Sequence, residues 1–503
     1  LLGRYMTGIF VDRPHFSDRF FNPFERLVYR LMGVNAATGM TWQGYAGAFL
    51  WSNLVLGLLA FLILLLQQML PLNPDGIGPL SWDLALHTAV SFLTNTNQQH
   101  YSGQAQLSYL SQGFLIVTLQ TVTPAMGLAV CVAILRGMVG GRNKDTAAEG
   151  EPRDLGNYYV DLVRGVTRVM LPSALVVSLL LTWQGVPATL EGAQVARVLD
   201  PAVALQDQKI PVGPVAPMVA IKQLGTNGGG WYGPNSANPL ENPTPVSNAI
   251  QTISIVLFPM AIVFMAGGIL GNRRFTLMSL AVMLVLSLSF LAATVYSEVQ
   301  PNAAFAGLSA EGPNMEGKEV RFGPELSALW GTFTTQTSNG SVNAMHDSFN
   351  PLGGLMTRAG MLINAIWGGI GCGFVNFLVY IWITVFLSGL MIGRTPEIFG
   401  RKIETREMTS LGVLLVLPTF VILAFTAIAL AVPGLAANSN PGFHGISQVF
   451  YEYTSAFANN GSGFEGLGDN TVWWNLSCVV ALIVGRYVPL VLPLMIAGWL
   501  ASK

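Results

Sequence analysis

The chain has 503 residues, of which 51% are hydrophobic and only 10% are charged, and its mean hydropathy is +0.51. Soluble domains carry roughly 25% charged residues, so this composition excludes an ordinary soluble protein and predicts a polytopic protein surrounded by membrane lipid. The net charge of −1 identifies no partner, because membrane proteins distribute charge by side of the bilayer, and we expect no nucleic-acid partner.

Apolar runs of about 20 residues, the length that crosses a bilayer, recur along the whole chain. They predict eight spans, at 44–66, 114–135, 166–183, 250–270, 275–295, 355–390, 411–432 and 472–500. Most of the 25 lysines and arginines fall in 1–43, 136–168, 271–274, 394–408 and at the last residue. Because cytoplasmic segments carry the excess of basic residues, both ends of the chain are predicted to be cytoplasmic.

A shorter apolar stretch lies between the two spans of each pair, at 83–93, 217–224, 325–335 and 447–457. These stretches are too short to cross the membrane and have the length of re-entrant half-helices. A polar loop rich in glycine or asparagine follows each one: LTNTNQQHYSG, LGTNGGGWYG, QTSNGSVN and ANNGSGFEG. The aligned triplets are Asn95-Thr96-Asn97, Thr226-Asn227-Gly228, Ser338-Asn339-Gly340 and Asn459-Asn460-Gly461.

This recurrence predicts an all-α membrane protein built from four tandem repeats of span, pore half-helix, filter loop and span around a pseudo-fourfold pore, like a potassium channel. We divide the chain into a cytoplasmic segment 1–43, repeat 1 at 44–138, a cytoplasmic loop 139–165 and repeat 2 at 166–274. Repeat 3 follows at 275–394, a cytoplasmic loop at 395–408, and repeat 4 at 409–503.

The four polar loops are predicted to form a filter for a monovalent cation. Irregular backbone at membrane depth is tolerated only where protein or water surrounds it, so the loops should converge on one axis. Half-helices that enter from outside direct their partially negative C-terminal ends at the pore, and backbone carbonyls replace the hydration shell of an alkali ion. A single NG or GGG is more often an ordinary turn, but four copies after four half-helices argue against that reading.

Several strings resemble one family. Together with the filter loops, NMEGKEVRFG (314–323), AMHDSF (344–349) and GLMIGRTPEIFGRKIETREM (389–408) closely resemble the potassium-binding subunits of bacterial Kdp ATPases, which belong to the superfamily of K⁺ transporters. The resemblance implies the K⁺-selective subunit of an ATP-driven, high-affinity uptake pump in the bacterial inner membrane. It implies K⁺ as the transported ion, with ATP and Mg²⁺ only on the partner P-type ATPase subunit (KdpB), and two further partners, a periplasmic-facing subunit (KdpC) and a small single-span peptide (KdpF).

Two departures from the family accompany this resemblance. Family members have a span before the first repeat and another after the fourth, which this chain lacks, so we expect it to be part of a longer protein. Repeat 1 has Asn97 where the other repeats have glycine, which makes the filter less than fourfold. Gln99, just after this filter loop, resembles a family position that affects ion affinity.

The sixth predicted span, at 355–390, would form a helix of roughly 54 Å, far longer than a hydrocarbon core of about 30 Å. GGIGCG, at 368–373, is its expected breaking point, with Gly368, Gly369, Gly371 and Gly373 as a candidate gate. The stretch resembles the intramembrane loop below the filter in related potassium transporters. Close helix packing through small residues is the alternative.

Three arginines are further candidates. Arg486 lies within the eighth span, where an arginine is costly, so it should face the ion path or pair with a carboxylate or helix carbonyls. Arg394 and Arg401 lie in the cytoplasmic stretch 389–408, which we expect to contact the ATPase subunit or support the gate. Ordinary topology charge is the alternative for both.

The chain contains neither GxxxxGK[ST] nor DKTGT, so we expect no ATP hydrolysis by this chain alone. Cys131, Cys372 and Cys478 lie in apolar stretches without metal-ligand spacing, which predicts neither a disulfide nor a zinc site. The main alternative function is a stand-alone K⁺ channel or symporter subunit of the Trk and Ktr type, and a secondary carrier with inverted repeats is a more distant one.

Overall fold

The computed structural model describes residues 1–11, 14–146, 151–200, 206–307 and 312–503. The helices are α1 (Leu2–Phe10), α2 (Asp18–Leu31), α3 (Trp42–Leu66), α4 (Trp82–Leu93), α5 (Gly103–Gln106), α6 (Val117–Met138), α7 (Tyr158–Arg164), α8 (Leu171–Trp183), α9 (Val215–Leu224), α10 (Pro245–Leu270), α11 (Arg273–Glu298), α12 (Gly323–Gln336), α13 (Pro351–Ile363), α14 (Cys372–Met391), α15 (Thr405–Ala431), α16 (Gly442–Phe457) and α17 (Val472–Ser502). Short π-helical stretches at Leu110–Ile116 and Gly165–Met170 lead into α6 and α8.

Two short antiparallel hairpins accompany the helices. Strands β1 (Gln194–Arg197) and β2 (Asp207–Ile210) pair in the connection between α8 and α9. Strands β3 (Glu397–Ile398) and β4 (Arg401–Lys402) pair between α14 and α15, inside the predicted cytoplasmic loop 395–408. Both hairpins lie outside the predicted spans, so the membrane part of the fold is helical.

Among the described residues, eight helical segments are long and apolar enough to cross a membrane. They are Trp42–Met69, Leu110–Met138, Tyr158–Trp183, Pro245–Leu270, Arg273–Phe305, Cys372–Met391, Thr405–Ala431 and Val472–Ser502. The third begins well before the predicted residue 166, because the Asn157 side chain caps the N–H groups of Tyr159 and Val160. Part of the predicted loop 139–165 is therefore helical.

The predicted N-terminal segment 1–43 is also largely helical. Helix α1 packs against α10 so closely that a Cβ on Gly3 would lie 2.6 Å from the carbonyl oxygen of Ala261. Helix α2 is held to the third span by Arg168, which contacts Glu25 at 2.6 Å and Asp18 at 2.5 Å. The segment is thus docked on repeat 2.

The predicted half-helices are α4, α9, α12 and α16, and each packs against the first span of its own repeat: α3, α8, α11 and α15 respectively. Each also contacts the second span of the preceding repeat, so α9 meets α6, α12 meets α10, and α16 meets α13. Helix α4 meets α17, the last helix of repeat 4. These contacts close the four repeats into a ring and produce the pseudo-fourfold arrangement.

The sixth predicted span, 355–390, is broken, and the break falls at GGIGCG, as the sequence predicts. Helix α13 ends at Ile363, its C-cap residue Asn364 has a left-handed φ of 47°, and α14 begins at Cys372. Gly368 and Gly371 have φ values of 63° and 77° in the intervening loop, a conformation that favours glycine. Gly373, predicted as part of the loop, lies instead in the first turn of α14.

Candidate ion-binding site

The four triplets share one backbone conformation. Their first and third residues all have left-handed φ values, from 49° to 99°, and the middle residue does not. The middle N–H bonds the carbonyl five residues earlier in every repeat: Thr96 to Ser91, Asn227 to Lys222, Asn339 to Thr334 and Asn460 to Ser455, at 2.9 to 3.0 Å. Five non-glycine residues are held in this unfavourable region, at about 1–2 kcal/mol each, so packing must enforce it. These five residues are Asn95, Asn97, Thr226, Ser338 and Asn459.

The glycines at the third position let each loop touch the next one. A Cβ on Gly228 would fall within 3.0 Å of the carbonyl oxygen of Asn339, and one on Gly340 would do the same to Asn460. A Cβ on Gly461 would overlap the carbonyl oxygen of Thr96. Repeat 2 therefore contacts repeat 3, repeat 3 contacts repeat 4, and repeat 4 contacts repeat 1, each through the carbonyl of a middle residue.

The junction between repeats 1 and 2 is built differently, because Asn97 occupies the glycine position. Its side chain lies against Gly229, where an added Cβ would come within 2.8 Å of it. Gln120 on α6 donates from Nε2 to Asn97 Oδ1 at 2.7 Å and to the Gly229 carbonyl at 3.1 Å. At this junction the residue without a side chain is therefore Gly229 of repeat 2, not the third residue of the repeat 1 triplet. Gln120 holds Asn97 and Gly229 together.

The asparagines at the middle positions connect neighbouring repeats. Asn339 donates from Nδ2 to the Lys222 carbonyl at 3.0 Å, and Asn460 donates to the Thr334 carbonyl at 2.9 Å. Each amide thereby bonds the last turn of the half-helix in the preceding repeat. Asn227 donates to Asn95 Oδ1 at 2.5 Å and completes the set on the repeat 1 side. These side chains therefore position the loops relative to one another.

The ring of triplets separates two spaces. On one side is a vestibule of about 720 Å³, lined by the third-position residues Asn97, Gly228, Gly340 and Gly461. On the other is an inner space of about 20 Å³, lined by the first-position residues Asn95, Ser338 and Asn459. Glu465 also lines the vestibule, and burial raises the pKa of its carboxyl group to about 8. An ion would pass from one space to the other through the ring.

The three consecutive glycines of LGTNGGGWYG each face a different neighbour. Gly228 meets repeat 3, Gly229 meets Asn97, and Gly230 lies against Asn235 and the carboxylate of Glu241. The backbone of Gly230 also pairs with Gln99, which accepts from its N–H at 2.8 Å and donates to its carbonyl at 2.9 Å. Gln99 therefore holds the outer ends of the first two filter loops together.

A buried ion pair behind the second loop is absent from the predicted site residues. Lys222, in the last turn of α9, pairs with Glu241, and both side chains are fully buried. Lys222 Nζ also donates to Asn235 Oδ1 at 2.6 Å, and Asn235 donates to the Gly228 carbonyl at 2.7 Å. The sequence signal was a lysine inside an otherwise apolar half-helix, which requires a buried acidic partner.

The loop between α13 and α14 lies directly beneath the ring. The Ile370 N–H donates to Thr226 Oγ1 at 3.1 Å, and the Gly368 N–H donates to the Gln336 carbonyl at 2.7 Å. On its lower side, a Cβ on Gly371 would overlap the carbonyl of Gly127 on α6. The loop thus forms a floor under the inner space: Gly369 lines that space and has ordinary room for a Cβ, whereas Gly371 has none beside α6. A Cβ on Gly368 would overlap Gly373 within the loop itself.

Arg486, half-way along α17, lies at the edge of the inner space and is only 5% exposed. Its guanidinium donates to the Cys372 Sγ at 2.8 Å and to the Thr123 carbonyl at 3.2 Å. Within the described ranges, no carboxylate oxygen lies within 4.0 Å of its guanidinium nitrogens. Its charge is therefore held beneath the ring by neutral groups of the floor and of α6.

The two cytoplasmic arginines have different surroundings. Arg401 is partly buried and donates from Nη1 to the carbonyls of Leu500 and Ala501, at 2.9 and 3.0 Å. It therefore caps the last turn of α17, a favourable place for a cation. Arg394 lies in the turn after α14 and is exposed. Of the two, Arg394 is the one whose side chain is directed to solvent.

Comparison with known proteins gives consistent matches over the whole chain. The family model described as the potassium-transporting ATPase A subunit matches residues 1–503. A potassium-transporting ATPase potassium-binding subunit of Gloeobacter violaceus is 47% identical over 510 residues, covering all of this chain and 87% of that protein. The corresponding subunit of Synechocystis sp. is 46% identical, with coverage of 100% and 88%.

The solved structure of the potassium transporter TrkH from Vibrio parahaemolyticus is similar in fold. It superimposes with a TM-score of 0.58 at 13% sequence identity, covering 98% of this chain and 96% of that one. At this identity the likeness concerns the fold alone. It confirms the expectation of an all-α, polytopic membrane architecture, to which the eight apolar helices also correspond.

Proposed function

The chain belongs to the family of potassium-transporting ATPase A subunits, and from that premise we propose that its four filter loops form the site at which the pump selects K⁺. Its relatives are named as potassium-binding subunits. The observation that carries the proposal is the closure of the loops into one ring through the glycines of repeats 2, 3 and 4. Neutral backbone oxygens in such a ring replace the water around a monovalent cation.

We place the vestibule on the outside and both ends of the chain in the cytoplasm of the bacterial inner membrane, as the distribution of basic residues favours. The resemblance assigns ATP and Mg²⁺ to the P-type ATPase subunit (KdpB) and adds KdpC and KdpF as partners. The exposed Arg394 and the adjacent hairpin β3–β4 form the candidate contact with the ATPase subunit.

The floor beneath the ring suits a pump subunit better than an open channel. An inner space of about 20 Å³ exceeds the ~10–15 Å³ that holds one water, so it takes one ion of similar size. Gly368, Gly369 and Gly371 form the gate in this proposal, and Arg486 adds a fixed positive charge beside it that limits occupancy. A K⁺-selective pore that stayed open would dissipate the gradient built by ATP hydrolysis.

A side cavity offers the ion a way past this floor. It has a volume of about 490 Å³ and opens between α13, α14, α15 and α17. It shares lining residues with the inner space: Asn364, Asn376, Ala458, Gly485 and Pro489. We propose that K⁺ leaves the inner space laterally through this cavity toward the ATPase subunit.

Reconstitution in liposomes tests the function. The complete complex should take up K⁺ only with ATP and discriminate against Na⁺, whereas the A subunit alone should not conduct. Steady K⁺ flux through the A subunit alone would instead support the stand-alone channel or symporter subunit of the Trk and Ktr type. Ile383→Trp, which fills the side cavity, should lower turnover and leave K⁺ affinity unchanged; normal turnover would refute the lateral route.

A further inference from the structure

A group of buried side chains between repeats 1 and 4 lies beside the vestibule and is not used by the filter. His100 follows the first filter loop and is 2% exposed. Its Nδ1 lies 2.7 Å from Asn475 Oδ1, and Asn475 donates from Nδ2 to Asp83 Oδ2 at 2.8 Å. Because the carboxylate requires the NH₂ group of Asn475, the amide oxygen must accept from His100. The proton of the neutral imidazole is therefore on Nδ1, which leaves a lone pair on Nε2.

This lone pair has no hydrogen-bond partner. Nε2 of His100 faces Glu452 Oε1 at 3.5 Å, and it is one of the buried nitrogen atoms without a hydrogen bond. The thiol of Cys478, on α17, completes a group in which the three ligand atoms lie within 4.8 Å of one another. A lone pair that faces a carboxylate oxygen in a buried site is repulsive unless a proton or a metal cation lies between them, so a metal ion would take the place of a proton on Nε2.

The separation of His100 and Glu452 fits a shared ion. Two ligands bound at about 2.0–2.1 Å to a tetrahedral ion are roughly 3.3 Å apart, and the His100–Glu452 separation is 3.5 Å. The donor from Asn475 is the kind of partner that orients a ligating histidine in known metal sites. His100 and Glu452 also line the vestibule, which gives an ion access from that space and a position for a water as fourth ligand.

We propose that His100 Nε2, the Glu452 carboxylate and the Cys478 thiolate bind a divalent transition-metal cation of the Zn²⁺ class. Imidazole and thiolate donors select such ions over Mg²⁺ and Ca²⁺, which prefer oxygen ligands. Binding releases the thiol proton of Cys478 to water. Sequence spacing missed this site because its ligands come from separate helices and loops, so only the fold brings them together.

The site is distinct from the K⁺ ring but is mechanically linked to it. Gln98, next to the filter residue Asn97, donates from Nε2 to Glu452 and from its carbonyl accepts the Ser91 hydroxyl at 2.8 Å. A metal ion would tie the outer end of the first filter loop to α16 and α17. We therefore expect bound metal to change K⁺ affinity without occupying the filter.

Co²⁺ binding to the purified complex tests this proposal, because a Co²⁺–thiolate bond has a charge-transfer absorption in the near ultraviolet. The wild-type complex should bind one Co²⁺ at this site, with that absorption, and release it to Zn²⁺ but not to excess Mg²⁺. Cys478→Ala should abolish the absorption and weaken Co²⁺ binding at least tenfold. Cys131→Ala, which removes a buried cysteine on α6, is the matched control and should change neither.

Glu452→Gln provides a second variant that keeps the size of the side chain, and it should also weaken Co²⁺ binding at least tenfold. Thermal unfolding of the same samples reports whether each variant is folded, and retained K⁺ binding shows that the filter is still formed. The proposal is overturned if the wild-type complex shows no thiolate absorption with Co²⁺. It is equally overturned if Cys478→Ala and Glu452→Gln bind Co²⁺ as the wild type does.

Discussion

Gly340→Ala tests the ring most directly, because the chain contains a matched control. Gly340 and Gly434 have nearly the same left-handed φ, 86° and 82°. An added methyl at Gly340 would overlap the carbonyl oxygen of Asn460, whereas nothing lies within 4 Å of a Cβ at Gly434. Alanine therefore causes the same backbone strain at both positions, about 1–2 kcal/mol, and only Gly340→Ala presses on the filter.

The size of the expected effect follows from this overlap. Real Cβ atoms do not approach other atoms more closely than 3.0 Å, so the Asn460 carbonyl would have to move by about 1 Å, a shift that costs on the order of 10²-fold where geometry is critical. That carbonyl belongs to the middle residue of the fourth triplet. Each loss of about 1.4 kcal/mol weakens an affinity tenfold, so we expect K⁺ affinity to fall between tenfold and a hundredfold in Gly340→Ala.

The assay is K⁺-stimulated ATPase activity of the purified complex, titrated with K⁺ and separately with Rb⁺ and Na⁺. Gly434→Ala should give the wild-type titration, and Gly340→Ala should need at least ten times more K⁺ or respond to Na⁺. Gly228→Ala and Gly461→Ala should behave like Gly340→Ala, since their methyl groups meet the equivalent carbonyls. Equal K⁺ titrations for Gly340→Ala and Gly434→Ala would refute the ring.

Three further experiments separate positioning from stability. Gln99→Ala removes both hydrogen bonds to the Gly230 backbone and should weaken K⁺ affinity about tenfold in the same titration; an unchanged titration would show that these bonds do not position the filter. Lys222→Met leaves Glu241 buried without its ion-pair partner and should destabilise the complex by about 3–5 kcal/mol in thermal unfolding. The double variant Lys222→Met/Glu241→Gln should recover part of the lost stability. Equal stability of the single and double variants would contradict the pairing. Arg401→Gln should lower the stability by about 1–3 kcal/mol, because it loses the hydrogen bonds to α17. Arg394→Gln should keep the stability and reduce the amount of ATPase subunit that is recovered with the complex. An unchanged amount would leave Arg394 as a topology charge.

The architecture could be predicted from sequence because its signals are local. The length of an apolar run identifies a span, and a short apolar run followed by a polar, glycine-rich stretch identifies a half-helix and its loop. All four half-helices and seven of the spans correspond to continuous helices, and the sixth span breaks where GGIGCG lies. The apolar run does not locate the start of the third span, because its N-cap residue Asn157 lies outside that run.

The contacts between repeats could not be predicted, because they join residues that are distant in the chain. Gln120 was hidden inside a span, yet it holds Asn97 against Gly229. Arg401 belongs to the same basic stretch as Arg394, and only the folded chain shows that it caps α17. The sequence gives the type of each side chain and the spacing of apolar residues along a helix. Which residue a side chain contacts depends instead on how the repeats pack against one another.

The asymmetry of the ring follows from this closure. A loop of the ring needs one small residue at each junction so that the next carbonyl can approach, and three junctions place that residue at the third position of the triplet. At the remaining junction Asn97 fills the position, and Gly229, one residue beyond its own triplet, supplies the space instead. The Asn97 side chain can then accept a hydrogen bond from Gln120, which no glycine could do. At the third position of the triplet, repeat 1 is thus fixed by a side-chain hydrogen bond where the others are fixed by close backbone contact. Gly229→Ala should therefore disturb the filter as Gly340→Ala does.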